Sequence, residues 1–128
     1  MKKIVSIVGA TLLLMFFSSN LTLGAETLSK EEAEKLLNGN TAEGVNTKWD
    51  KKMIWYFQEG GTLRKQKPSG KRGRAEWSLD DKGELCHQDK HQDEPVCEPV
   101  VRRDDGKYEA MDGRWRFDKI LPGNAHNL

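Results

Sequence analysis

From Thr41 to Ile120 the apolar residues come in short runs, several of them alternating with polar residues and separated by glycine, aspartate or proline. Alternation with a period of two places successive side chains on opposite faces of an extended strand. Arg74–Leu79 shows it most cleanly: Ala75, Trp77 and Leu79 share one face, and Arg74, Glu76 and Ser78 the other. The same pattern predicts strands at Thr41–Val45, Met53–Phe57, Thr62–Gln66, Glu84–Gln88, Val96–Arg102, Lys107–Met111 and Arg114–Ile120. Turn residues divide them, at Glu59-Gly60-Gly61, Asp80-Asp81-Lys82-Gly83, Asp104-Asp105-Gly106 and Asp112-Gly113. Met53–Phe57 is apolar on both faces, so Met53, Trp55 and Phe57 are expected to point inward and Ile54 and Tyr56 toward the helix or a partner. Pro95 and Pro99 mark an edge or a bulge.

Connections this short favour antiparallel neighbours, because a parallel pair needs a long crossover. The predicted fold is mainly β: an antiparallel meander of seven or eight strands forming a small barrel or a strongly twisted sheet. A two-sheet sandwich is the alternative. Closure would also remove exposed strand edges.

One helix precedes the strands. Ser29 with Glu32 has the spacing of a capping box, Leu28 and Ala33 that of a hydrophobic staple, and Asn38-Gly39 supplies a stop. The segment 30–38 carries a narrow stripe of Ala33, Leu36 and Leu37. A helix of about two turns is marginal alone, so it is expected to dock as a lid on one end of the sheet.

Upstream, Lys2 and Lys3 precede an uncharged run from Ile4 to Phe17, and small residues follow at Gly24 and Ala25. This is the pattern of a cleaved export signal over residues 1–25, and the run falls short of the ~20 residues a spanning helix needs. The expected mature chain is a single β domain over residues 26–124 with a tail at 125–128, located in the periplasm or secreted, with no membrane span after cleavage. Removing Lys2 and Lys3 from 21 basic and 20 acidic residues brings it within one charge of neutrality. A dedicated nucleic-acid binder would normally carry a basic excess.

In an oxidising compartment, Cys86 and Cys97 are expected to form a disulfide. Their spacing is not C-x-x-C, which speaks against a thioredoxin-like pair or haem attachment.

Three constellations are candidates for function. Trp49, Trp55, Tyr56, Phe57, Trp77, Tyr108, Trp115 and Phe117 are first of all core material. Trp55, Phe57, Trp77 and Trp115 are the candidates to line a pocket for an apolar or aromatic ligand, with the cavity opening near the helix. His87 and His91 lie in a polar stretch rich in carboxylates and are candidate metal ligands, against the plainer expectation of a solvated hairpin tip. Arg64, Lys65, Lys67, Lys71, Arg72 and Arg74 form an acid-free basic loop over residues 64–74, where Lys71 and Arg72 are candidates to engage lipid headgroups, a polyanionic glycan or an acidic protein surface. No aromatic residue interleaves with these charges in sequence, so no base-stacking platform is indicated. The chain carries no G-x-S-x-G elbow, H-E-x-x-H or P-loop, so no catalytic role and no cofactor are expected.

Taken together, Tyr56-Phe57-Gln58-Glu59-Gly60-Gly61-Thr62, the stretch Gly73–Trp77, the Leu85-Cys86 pair, Cys97 with Val100, and Leu121-Pro122-Gly123-Asn124 give a pattern that resembles a family of small secreted proteobacterial β domains of unknown function. That resemblance implies export, a β fold and the disulfide, and supplies no activity. The expected function is therefore a non-enzymatic periplasmic binding or accessory protein. The alternatives are an interaction or inhibitor module using the basic loop, and a metal-binding protein using the loop 86–97.

Overall fold

The structure, a computed structural model, describes residues 25–128. Of the predicted signal segment at residues 1–25, residues 1–24 lie outside the described residues. Ten strands form one sheet among the described residues, together with a single helix. The elements in chain order are β1 (Glu26–Thr27), α1 (Lys30–Leu37), β2 (Asn40–Asn46), β3 (Lys51–Phe57), β4 (Thr62–Gln66), β5 (Arg72–Leu79), β6 (Leu85–Gln88), β7 (Val96–Glu98), β8 (Val101–Arg102), β9 (Tyr108–Ala110) and β10 (Trp115–Pro122). The fold class is as the alternation predicts, mainly β and antiparallel, curled into a half-barrel.

Two meanders build the sheet. β2 to β7 pair in sequence order, and β8, β9 and β10 pair in order and return to β2, giving β1-β8-β9-β10-β2-β3-β4-β5-β6-β7. The segment Val96–Arg102, predicted as one strand, is two. It breaks at Pro99-Val100, and the chain passes there from one end of the sheet to the other. Pro99 has no N–H to continue the ladder, and buried Val100 instead accepts a bond at its carbonyl from the Leu28 N–H (2.8 Å). This split, together with the two-residue β1 that pairs with β8, raises the count above the seven or eight expected.

The helix forms where the capping box places it. Glu32 N–H donates to Ser29 Oγ (3.2 Å) and Ser29 N–H to Glu32 Oε1 (3.0 Å). At the other end the Asn40 amide donates to the Leu36 carbonyl (3.0 Å), satisfying a helix-terminal acceptor. Ala33 and Leu37 are wholly buried, and they join Leu28, Phe57, Leu63, Leu85 and Val100 in one core. Gly83, in the β5–β6 turn, has a positive φ (83°), and an added Cβ would lie 2.5 Å from Lys30 N. A residue without a side chain is needed there to let the helix start sit against the sheet.

The disulfide Cys86–Cys97 joins directly opposed residues of β6 and the edge strand β7. It fastens a three-residue edge that has few ladder bonds of its own. Trp49 departs from the core assignment: it sits on the β2–β3 turn and is 63% exposed.

Ile54 and Tyr56 face outward as expected, but the covering element on that side is the chain's own 124–128 segment. Glu43, Ile54, Gln66 and Arg72 form one row across β2–β5. His126 pairs with Glu43 at one end of the row, and the Arg72 guanidinium donates to the Asn127 carbonyl (3.3 Å) at the other.

Candidate functional site

Along the inner face of the half-barrel the chemistry changes from one end of the strands to the other. Strand alternation places Lys51, Met53, Trp55 and Phe57 of β3 on that face, and the register aligns Leu63 and Lys65 of β4, Gly73 and Ala75 of β5, and His87 of β6 with them. Phe57, Leu63 and Leu85 meet the helix end and are fully buried. In the middle, Trp55 stacks on Trp115 with centroids 5.3 Å apart and meets Phe117 edge-on at 5.1 Å, while Phe57 meets Trp77 edge-on at 5.3 Å. The four aromatics singled out as pocket-lining are thus packed on one another as core, each no more than 8% exposed. The helix end where a cavity was expected is filled by the side chains of Leu28, Ala33, Leu37 and Val100. Concavity lies at the opposite end, over a floor of Met53, Lys65 and Gly73 beside His87.

On that floor Lys65 and His87 meet, with Nζ and Nε2 3.4 Å apart. His87 is buried in β6 between Trp77 and Val96 of the neighbouring strands, and its ring meets Trp115 edge-on at 4.9 Å. It is not part of a solvated tip, because the strand register turns it inward. Burial, reinforced by the nearby Lys65 ammonium, lowers its pKa to about 4, so the imidazole is neutral at pH 7. Lys65 is itself pushed below the ordinary lysine value by burial, with Asp89 opposing the shift.

Above this floor opens a cleft of about 980 Å³. Its lining includes Lys51, Lys65, Lys67, Lys71 and Lys90, with Asp89 as the single carboxylate. Arg64, Arg72 and Arg74 also border it, although alternation assigns them to the outer face of their strands. Among the described residues, none of these eight cations has a carboxylate within 4 Å. Ion pairs form elsewhere: Arg102 holds Glu26 and Glu32, Arg103 holds Asp105 and Glu109, and Lys107 and Arg116 share Asp118. The structure therefore gathers the predicted loop residues Lys71 and Arg72 with cations from β3 and the β6–β7 turn around one concavity.

A second cleft of about 480 Å³ adjoins the first along the unpaired edge of β7, a seam between that strand and the β9–β10 turn, bordered by His87, Val96, Met111 and Trp115. Asn46 and Trp49 border both clefts. Sequence analysis placed Trp49 with the core aromatics because the cleft residues it joins on β4, β5 and the β6–β7 turn are 15 or more positions away in the chain. The signal that was present is a tryptophan in an otherwise polar turn, Thr47 to Asp50. Gly44 was missed as well. A Cβ there would lie 1.7 Å from the Arg116 carbonyl oxygen, so only glycine allows β2 to approach β10 beside its register shift.

The two candidate metal ligands occupy different settings. His87 faces an ammonium inside the barrel, and His91 is exposed on the turn, where its N–H donates to Asp89 Oδ1 (2.9 Å). Among the described residues the group with metal-ligand proximity is Asp80, Cys86 and Cys97, whose two sulfurs are already bonded to each other.

The chain matches no family model, no curated protein and no solved structure. The likeness to small secreted β domains rests on its residues alone.

Proposed function

We propose that the protein is a non-enzymatic binding protein of the periplasm or extracellular space that captures a polyanion in the basic cleft. What carries this is the set of five lysines lining one concavity and bordered by three arginines, none with a carboxylate within 4 Å and with Asp89 as the single acid of the lining. Clustered like charge in a concavity focuses a positive field and raises the local concentration of anions. It also opposes folding by self-repulsion, a cost that a ligand bearing several negative groups relieves on binding. The concave shape suits a narrow chain of sulfate, phosphate or carboxylate groups better than a flat acidic protein surface. The ligand site thus lies at the end of the barrel away from the helix, and the basic loop serves as its wall.

Calorimetric titration with a heparin-derived sulfated hexasaccharide tests the proposal. The parent should bind, with affinity falling steeply as salt rises. The Lys51→Glu/Lys67→Glu/Lys71→Glu variant should lose at least about tenfold in affinity, while its disulfide and thermal transition persist, because all three side chains are exposed. Absence of binding of both this hexasaccharide and a linear polyphosphate at low ionic strength, or equal binding by the two proteins, would overturn it.

A further inference from the structure

We infer that the ligand of the basic cleft is an anionic saccharide, with a sugar ring lying on the Trp49 indole while the surrounding lysines hold its charged groups. This rests on the polyanion proposal and narrows it to a chemical class.

Trp49 is the exposed aromatic ring among the described residues, and it stands where the two clefts meet. Leaving an indole in water forfeits a large hydrophobic stabilisation, and this one is not on a loose segment. Its turn is fastened to the β9–β10 turn: Thr47 N–H donates to the Arg114 carbonyl (2.8 Å) and Thr47 Oγ1 to the Gly113 carbonyl (2.7 Å). Within the turn, Lys48 N–H donates to Asn46 Oδ1 (3.1 Å). The ring is therefore presented at the cleft by a bonded frame, so little conformational entropy remains to be lost on contact. Lys48 Nζ lies over the ring, 5.1 Å from its centroid, so one face of the indole carries a cation and a sugar would take the other.

The neighbouring groups decide what such a ring receives. A pyranose offers a face of C–H bonds that packs on an electron-rich indole, and hydroxyls that suit the Asn46 amide. Equatorial sulfate, phosphate or carboxylate substituents project from the rim of such a ring, and Lys51, Lys67 and Lys71 line the same cleft to receive them. A bare polyphosphate has charge but no face to place on Trp49. Single-stranded nucleic acid has ring faces, but binding it calls for a row of exposed aromatics along the strand, and one indole is present here. The seam cleft beyond Trp49, with Val96, Met111 and Trp115, gives a longer oligosaccharide a second, less charged surface on which to continue.

The test compares three probes on the parent and on Trp49→Ala: the sulfated hexasaccharide, a linear inorganic polyphosphate of similar charge, and oligothymidylate. Trp49→Ala should fold normally, since the side chain is exposed. It should weaken the hexasaccharide about tenfold and polyphosphate by less than about twofold. The change in tryptophan emission caused by the saccharide should disappear with the indole. Equal losses for saccharide and polyphosphate would overturn the inference while leaving the polyanion proposal standing, and so would an unaltered saccharide affinity. Tighter binding of oligothymidylate than of the saccharide, lost in Trp49→Ala, would replace the sugar with a nucleobase. Failure of every probe to bind the parent would overturn both proposals.

Discussion

The two ends of the half-barrel's inner face are built from the same strands and differ in almost everything else. At the helix end, Phe57, Leu63 and Leu85 have no exposed surface and are closed over by Ala33 and Leu37. At the mouth, Lys51 at the start of β3 and Lys67 and Lys71 at the base of the β4–β5 turn are all exposed. β3 alone runs inward as Lys51, Met53, Trp55, Phe57, from charged to fully apolar in four side chains. Alternation sets which face a side chain takes, and position along the strand sets its environment. A barrel designed only for stability would bring apolar residues to both ends. Keeping lysines at one end sacrifices core there for a charged, accessible surface.

The sharpest way to break this contrast is at the dry end. Phe57→Ala removes a side chain that touches Trp77 and Phe117 with centroids 5.3 and 5.9 Å away. Loss of the ring and the cavity left behind should cost about 3–5 kcal/mol, read by chemical denaturation. Polyanion binding by the fraction that remains folded should hold. A cost under about 1 kcal/mol would mean that the helix end is not the sealed core described here.

How far each end was legible in sequence follows from how local its determinants are. Alternation at Ala75, Trp77 and Leu79, and the Ser29–Glu32 box, act over a few residues and were visible as written. The disulfide was legible from the presence of two cysteines in a chain expected to be exported. His87 was not, because its immediate neighbours Gln88 to His91 are polar, while what buries it is pairing with Trp77 and Val96. The cleft was half legible: the charge run 64–74 stood out, but its meeting with Lys51, Lys90 and Trp49 depends on the hairpins lying side by side. The break at Pro99 looked like an edge feature, and only the whole sheet shows it joining two meanders.

His87 lies on the boundary between the two regions and offers the next test. Its folded pKa is about 4 against 6.5 for the free side chain. Between these values the unfolded chain binds a proton that the folded chain does not, so stability should be complete above pH 6.5 and decline as pH falls toward 4. The shift sets a ceiling of roughly 3 kcal/mol on that decline. His87→Phe keeps a ring against Trp115 and cannot titrate, so its stability should change less over the same interval, compared by denaturation at pH 7 and pH 4.5. Equal pH dependence in both proteins would place the proton elsewhere, with Glu32 and Asp118, whose carboxyls are held low by hydrogen bonds from Ser29 and Arg116, as the groups to examine.

The smallest expected effect says the most about why the mouth is charged. Lys67 and Lys71 face each other across the start of the β4–β5 turn, where Lys67 N–H donates to the Lys71 carbonyl (2.9 Å). Like charges directly opposite in an antiparallel ladder repel, and here no acid within 4 Å offsets either of them. Replacing both with alanine removes the repulsion and little packing, since both side chains are exposed. The double variant should therefore be as stable as the parent or slightly more so, by no more than about 0.5 kcal/mol at low ionic strength. The difference should vanish as salt screens the pair, while polyanion affinity falls. If the substitutions instead destabilise the fold, these lysines are structural, and the case for a retained ligand surface weakens. A gain in stability joined to a loss of binding is the result that a site, as opposed to a merely solvated loop, requires.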